Sequence, residues 1–207
     1  MPKIFYRKKL PHYQPPEALF FITYRLAGSI PVEVIRKLQD DYQRLELELF
    51  ASSAEGDKLQ TAIADIREGY FIETDNFLDR NLNEPYWLKE EPVAKIVADS
   101  LHFLERNKIK LYCYCIMPNH VHVLFSLKNA DDDLFRIMQR HKSYTAGVSN
   151  RILKHSGQFW ERESYDHVVR DGEFERIVNY ILNNPVKAGF VNNWLKWKWS
   201  YLNPELL

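Results

Sequence analysis

Residues 111–128 read LYCYCIMPNHVHVLFSLK, two apolar strand segments interrupted by Met117-Pro118-Asn119. Tight connections of this kind join neighbouring antiparallel strands, so the pattern predicts a hairpin with strands over residues 110–116 and 120–126. Side chains alternate along a strand, which places His120 and His122 on one face of the sheet and Val121 on the other. Two adjacent imidazoles can bind one divalent ion, although two ordinary sheet histidines would give the same triplet.

The remaining periodic segments extend this hairpin to a complete fold. Apolar spacing predicts strands at residues 18–26 and 164–170 and helices at 93–106, 131–153 and 173–184, with Pro185 ending the last helix. Two further helical stretches occupy the acidic region at about residues 31–91. With that region set aside, the order is β–α–β–β–α–β–α.

This order predicts an α+β fold, the ferredoxin-like split βαβ arrangement, with an antiparallel four-stranded sheet and two helices on one face. The first and third strands are central, and a C-terminal helix is added. We interpret residues 1–207 as one domain with a helical insertion at about 31–91.

Charge is segregated along a chain whose formal net charge is zero. Residues 31–91 hold seven basic and fifteen acidic residues, whereas residues 136–170 hold seven basic and three acidic residues, and residues 1–16 hold four basic residues and no acidic one. Segregated positive charge indicates a polyanionic partner, although solvated basic helix faces are also common.

Cysteine usage and hydropathy indicate a cytoplasmic protein without a membrane partner. Cys113 and Cys115 lie two apart on one predicted strand, a spacing typical of neither a redox motif nor a zinc knuckle, and we interpret them as reduced core residues. No apolar run reaches membrane-spanning length.

The last predicted helix places a phenol beside an amide. Tyr180 and Asn184 are four residues apart and therefore share one helix face. A tyrosine near a metal-binding strand suggests a phenolic nucleophile opposite a Lewis acid.

Three motifs, MPNHVHVLF, KSYTAGVSNR and GQFWERESYDHVVRDGEFERIVNYILNNPVKAGFV, occur in that order. Together they resemble the HUH single-tyrosine transposases, most closely the REP-associated tyrosine transposases, over about residues 15–199. The resemblance implies that His120 and His122 bind Mg²⁺ or Mn²⁺, that Tyr180 attacks a DNA phosphate, and that Asn184 is the third metal ligand. It also implies single-stranded or hairpin DNA as the partner, with the chain acting as a monomer or a homodimer.

Other residues are candidates for DNA contact or rivals for the roles above. Tyr144 and Tyr165 are alternative nucleophiles, and His141, His155 and His167 are interpreted as structural or DNA-contacting. Trp160 could stack on an unpaired base or lie at the core edge. The predicted DNA contacts are Arg170, Lys142, Trp160, Arg162 and Lys9.

Two alternatives to a DNA-cleaving transposase stay open. A domesticated hairpin-binding protein could keep the fold without cleaving, although it would have no use for the complete set of candidate site residues. A replication initiator of the wider HUH group is the other alternative, but such proteins are usually fused to a helicase, and no phosphate-binding glycine-rich loop is present.

Overall fold

A computed structural model describes residues 5–7, 11–13, 18–52, 56–80 and 84–206. Seven strands and five α-helices occur in this part of the chain. The strands are β1 (Phe5–Arg7), β2 (Pro11–Tyr13), β3 (Leu19–Arg25), β4 (Ile109–Ile116), β5 (His120–Leu127), β6 (Tyr165–Val168) and β7 (Ser200–Leu202). The helices are α1 (Val32–Ala51), α2 (Gly56–Arg80), α3 (Glu91–Asn107), α4 (Leu134–Leu153) and α5 (Phe174–Lys187).

The main sheet has the strand order β6-β3-β5-β4-β7, and all of its pairings are antiparallel. The four predicted strands take the split βαβ order, with the first and third at the centre, so the α+β prediction is confirmed. The predicted count of four strands was one too few, because β7 pairs with the outer edge of β4. A three-residue strand is too short to give a periodic signal in the sequence.

One face of the sheet carries the hydrophobic core. Alternate residues of β3 and β5, among them Phe20, Val121 and Phe125, pack in one buried cluster with α3 residues such as Val97 and α4 residues such as Ile137. The two helices predicted to cover one face therefore do so. Asp133 caps α4 by accepting a hydrogen bond from the Arg136 backbone nitrogen at 3.1 Å.

Helix α5 packs against β4, β5 and β7, and its inward residues Ile177 and Ile181 are buried outside that core cluster. The strand residues that alternate with the core residues face this way. They include Cys113 and Cys115, which are buried and form no disulfide within the described residues, in agreement with the prediction of reduced core residues. The sheet is thus covered on its second face by the helix that was predicted to carry the tyrosine.

The predicted end of α5 at Pro185 is wrong. Pro185 lies inside the helix, which continues to Lys187 and is closed by Gly189 in a left-handed conformation, φ +76°. The missing proline N–H costs one helical hydrogen bond, but Pro185 is buried, and the Ala188 nitrogen still bonds the Asn184 carbonyl at 2.9 Å. Tertiary packing outweighs the local penalty, and α5 gains a further turn.

Residues 28–84 form a compact unit distinct from the one built by residues 85–207 with the first 27 residues. Inside the smaller unit α1 and α2 pack together, with the rings of Tyr42 and Tyr70 5.5 Å apart. The interpretation of the whole chain as one domain with an insertion stays a prediction. Among the described residues, no helix combines the length and the apolar character required to span a membrane.

Candidate active site

The two central strands position the histidine pair. Thr23 of β3 lies opposite His122 of β5, and Arg25 lies opposite His120. Val121 and Val123 join the core on the other face. The predicted alternation is confirmed: both imidazoles are buried on the α5 side of the sheet.

The imidazoles face each other through their Nε2 atoms, which are 2.9 Å apart. Each Nδ1 has an outer partner: Asn119 Oδ1 lies 2.7 Å from His120, and Thr23 Oγ1 lies 2.7 Å from His122. An amide oxygen only accepts, so His120 donates from Nδ1 and its Nε2 keeps a lone pair directed at His122. Histidines that bind metals through one nitrogen are commonly oriented in this way through the other.

Burial lowers the pKa of His122 to about 3, and the positive charge of Lys187 acts in the same direction. His122 is therefore neutral at physiological pH. The neutral imidazole is the form that binds a metal ion.

Helix α5 brings Tyr180 to this pair. The Tyr180 ring is half-buried and meets the His122 ring edge-on at 5.7 Å, while both rings lie 5.9 Å from Phe21. The structure thus brings together the predicted tyrosine and the predicted histidines, which are about 60 residues apart in sequence.

Asn184 lies one turn after Tyr180 and is fully buried. Neither polar atom of its side chain has a hydrogen-bond partner among the described residues. A buried amide without partners costs roughly 1–3 kcal/mol, so proteins rarely keep one without a reason. One such reason is that the amide oxygen serves as a ligand for a cation.

These residues fit a small divalent cation. Adjacent ligands of an octahedral ion bound at 2.0–2.1 Å are roughly 2.9 Å apart, which matches the separation of the two Nε2 atoms. An amide oxygen is a hard donor of the type that Mg²⁺ and Mn²⁺ accept. The spacing of His120 and His122 therefore fits such an ion, and Asn184, the predicted third ligand, carries an oxygen of the type that the ion accepts.

Lys187 is a site residue that sequence reasoning missed. Its ammonium nitrogen lies 5.8 Å from the centre of the Tyr180 ring, and its charge acts on His122. Lys187 is seven residues after Tyr180, on the same helix face. The spacing would have identified it, had the helix not been predicted to end at Pro185.

The rival tyrosines occupy different places. Tyr165 of β6 lies opposite Thr23, in the same row across the sheet as His122, and its ring is 6.2 Å from Phe21. Tyr144 is exposed on α4, which covers the opposite face of the sheet from α5. Of the two, only Tyr165 shares a face of the sheet with the histidines.

The candidate DNA contacts divide into two groups. Arg162 and Arg170 are exposed, whereas Lys142 donates to the Glu161 carbonyl at 2.7 Å and to Ser164 Oγ at 3.0 Å. Trp160 is buried and donates from Nε1 to Thr145 Oγ1 at 2.9 Å, a contact that supports the core-edge interpretation. Lys9 lies outside the described residues.

The other predicted histidines have partners within the protein. His141 is buried between Tyr24 Oη at 2.7 Å and Ser100 Oγ at 2.8 Å. His167 lies 2.7 Å from Glu173 Oε2, and the ring of His155 packs 4.4 Å from that of Trp87. All three therefore have structural contacts.

Comparison with known proteins finds similarity over the part of the chain that contains these residues. The family model described as "Transposase IS200 like" matches residues 87–184, a span that contains both histidines, Tyr180 and Asn184. A putative REP-associated tyrosine transposase of Haemophilus influenzae is 30% identical over 112 residues, which are 49% of this chain and 64% of that protein. The matched part of this chain thus spans less than two thirds of that relative's length.

Two further similarities concern the same group of proteins. The REP-associated tyrosine transposase of Escherichia coli is 23% identical over 148 residues, 68% of this chain and 81% of that protein. A solved structure of a REP-associated tyrosine transposase bound to a REP hairpin superposes with a TM-score of 0.57 at 15% identity, covering 94% of this chain and 80% of that one. The resemblance predicted from the motifs is confirmed: this chain is similar to the REP-associated tyrosine transposases.

Proposed function

We propose that this chain is a metal-dependent transposase that cleaves and rejoins single-stranded DNA at hairpin elements through a 5′-phosphotyrosine intermediate. The observation that carries the proposal is the pair of Nε2 atoms 2.9 Å apart, beside the Tyr180 ring and one turn from a buried amide without partners.

In the proposed reaction the Tyr180 phenolic oxygen attacks the phosphorus of a DNA phosphodiester. A bond forms between phosphorus and the tyrosine oxygen as the bond to the 3′ oxygen breaks. The phenolic proton passes to solvent, and the departing oxygen takes up a proton to become a 3′-hydroxyl. When another 3′-hydroxyl attacks the phosphotyrosine, the same bonds exchange in reverse, so rejoining needs no energy cofactor.

An unperturbed phenol ionises near pH 10 and is a weak nucleophile at neutral pH. A bound Mg²⁺ or Mn²⁺ would supply a Lewis acid that polarises the phosphate and stabilises the developing charge. His120, His122 and Asn184 would hold that ion. Lys187, whose ammonium group lies beside the Tyr180 ring, would place a further positive charge next to the phosphate.

Hairpin or single-stranded DNA is the proposed substrate for two reasons. The solved relative of the same fold is bound to a REP hairpin, and residues 136–170 of this chain carry seven basic and three acidic residues. Positive charge of this kind makes DNA binding strongly dependent on salt, because bound phosphates release counterions. Of the DNA contacts predicted from the sequence, Arg162 and Arg170 are exposed in this segment.

The decisive experiment uses a suicide single-stranded substrate that traps the covalent intermediate. We expect an adduct with the unmodified protein and with Tyr144→Phe and Tyr165→Phe, but none with Tyr180→Phe, which should still bind DNA. Mass spectrometry of the trapped peptide identifies the attached residue. An adduct on Tyr165 would overturn the assignment, and hairpin binding without any adduct would favour the non-cleaving binder.

A further inference from the structure

A second region of the larger unit has features of a ligand site and lies away from the histidine pair. Helices α3 and α4 flank a groove of about 640 Å³ on the face of the sheet that they cover, opposite α5. Volumes of roughly 300–1,000 Å³ are typical of small-ligand pockets. The candidate active site lies on the opposite face of the sheet, so the groove is separate from it.

Two aromatic side chains line this groove and are unusually exposed. Phe103 of α3 is 65% exposed and Tyr144 of α4 is 59% exposed. Single exposed apolar residues are common on protein surfaces. Two large rings on neighbouring helices, both lining one concave surface, instead indicate a place where another flat group could stack.

Each of the two helices also contributes one arginine to the lining of the groove. Arg106 lies three residues after Phe103, and Arg140 lies four residues before Tyr144, so each pair shares a helix face. Both arginines are exposed, and within the described residues neither guanidinium makes a hydrogen bond or an ion pair. They are available to bind an anion.

The other charged residues that line the groove are already paired. Lys108 binds Asp132 at 2.7 Å, and Asp99 binds Lys95 at 2.7 Å. The net charge offered to a ligand is therefore positive and comes from the two arginines. The inner wall is mostly apolar, formed by Ile96, Leu104 and Ile137, and it also contains Ser100 Oγ and His141 Nδ1, which are 2.8 Å apart.

We infer that this groove binds an unpaired nucleobase of single-stranded DNA together with its flanking phosphates, an inference that rests on the proposed function. Base stacking on exposed aromatic rings combined with arginine contacts to phosphate is a general mode of single-strand binding. Guanidinium groups suit phosphate because they bind it with two parallel hydrogen bonds. The groove would hold a part of the DNA other than the cleaved strand segment.

The test measures DNA binding in Tyr180→Phe protein, so that cleavage cannot interfere. The probes are a fluorescein-labelled oligothymidine and a labelled blunt hairpin without unpaired bases. We expect Phe103→Ser combined with Tyr144→Ser to weaken oligothymidine binding about tenfold or more. Binding of the blunt hairpin should change much less.

Charge variants test the phosphate contacts. Arg106→Gln combined with Arg140→Gln should lower the slope of log affinity against log salt by about 1.4, the value for two single-strand phosphates. Leu195→Ser, at a site that is 71% exposed, and Arg44→Gln are the matched controls and should leave both probes unaffected. Circular dichroism checks that every variant is folded.

A photocrosslink distinguishes the possible outcomes. An oligonucleotide with 5-iodouracil should crosslink to Phe103 or Tyr144, whereas crosslinks confined to other peptides would overturn the groove proposal. Equal affinity of the aromatic variant and its parent would overturn it as well, as would loss of a dimer in the variant, which would identify the groove as a subunit interface. Failure of the parent to bind either probe would instead contradict the proposed function itself.

Discussion

Both faces of the central sheet bury histidines, and His141 on one face has different surroundings from His122 on the other. His141 belongs to α4, and each of its ring nitrogens is hydrogen-bonded to a hydroxyl group. His122 has a hydroxyl on Nδ1, but its Nε2 faces the Nε2 of a second imidazole. Burial lowers the pKa of both to about 3. Burial and a low pKa therefore do not mark a functional histidine, whereas the partners of its nitrogens do.

The largest expected effect is the loss of DNA cleavage when either histidine of the facing pair is replaced. His120→Ala and His122→Ala should abolish cleavage of a single-stranded substrate while hairpin binding persists, because each removes one of the proposed metal ligands. Chelation by EDTA should do the same to the unmodified protein, with recovery on adding Mn²⁺. Gel-based cleavage and anisotropy assays measure the two properties. Full cleavage in EDTA would remove the basis for a metal role.

Substitution of Asn184 should have an effect of intermediate size. It should raise the stability of the fold and lower the affinity for the metal ion. Asn184→Leu replaces a buried amide without partners by an apolar group of similar size, so the free energy of unfolding should rise by about 1 kcal/mol. Affinity for Mn²⁺ should fall by about 10- to 100-fold, the range seen when groups around metal sites are removed. Urea denaturation and metal titration measure these changes.

The neighbouring exposed residue provides the control for that substitution. Asn183→Leu alters the same helix without touching the histidine face, since Asn183 is exposed and bonds the Asn179 carbonyl. It should leave metal affinity unchanged. A loss of stability in Asn184→Leu would show that the amide has a structural partner instead.

The smallest expected effect concerns His141 and acid stability. Its pKa in the folded protein lies below the ordinary value of about 6.5, so the unfolded state binds the extra proton. Stability is therefore retained above pH 6.5 and decreases as the pH falls below it. His141→Gln should reduce this slope by up to about 1.4 kcal/mol per pH unit.

Urea denaturation between pH 5 and pH 7, in EDTA, measures that slope. Tyr24→Phe is the matched control because it removes one partner of His141 but keeps the titrating ring. Its slope should equal that of the unmodified protein. Identical slopes in His141→Gln would mean that the ring does not resist protonation in the folded state.

The sequence allowed the contacts on the histidine-pair face of the sheet to be predicted better than those on the face that α3 and α4 cover. Alternation in residues 120–126 and the four-residue spacing of Tyr180 and Asn184 are local patterns, and the strand order follows from them through few possible topologies. The extension of α5 past Pro185 depends on tertiary packing that no local rule contains. For the same reason the bonds of Lys142 to the 161–164 segment, and the groove that Phe103 shares with Tyr144, could not be predicted.

The hydroxyl of Thr23 has a consequence for how the histidine pair changes tautomer. The Asn119 amide oxygen can only accept, so it fixes His120 in one tautomer, but a hydroxyl can donate or accept by rotating its hydrogen. With the His122 proton on Nε2, that nitrogen donates to His120 and Thr23 donates to Nδ1. With the proton on Nδ1, that nitrogen donates to Thr23, and the two facing Nε2 atoms each keep a lone pair. The pair can therefore change from holding a proton to offering two lone pairs to a cation when the His122 proton moves from Nε2 to Nδ1 and the Thr23 hydroxyl rotates, without moving a heavy atom.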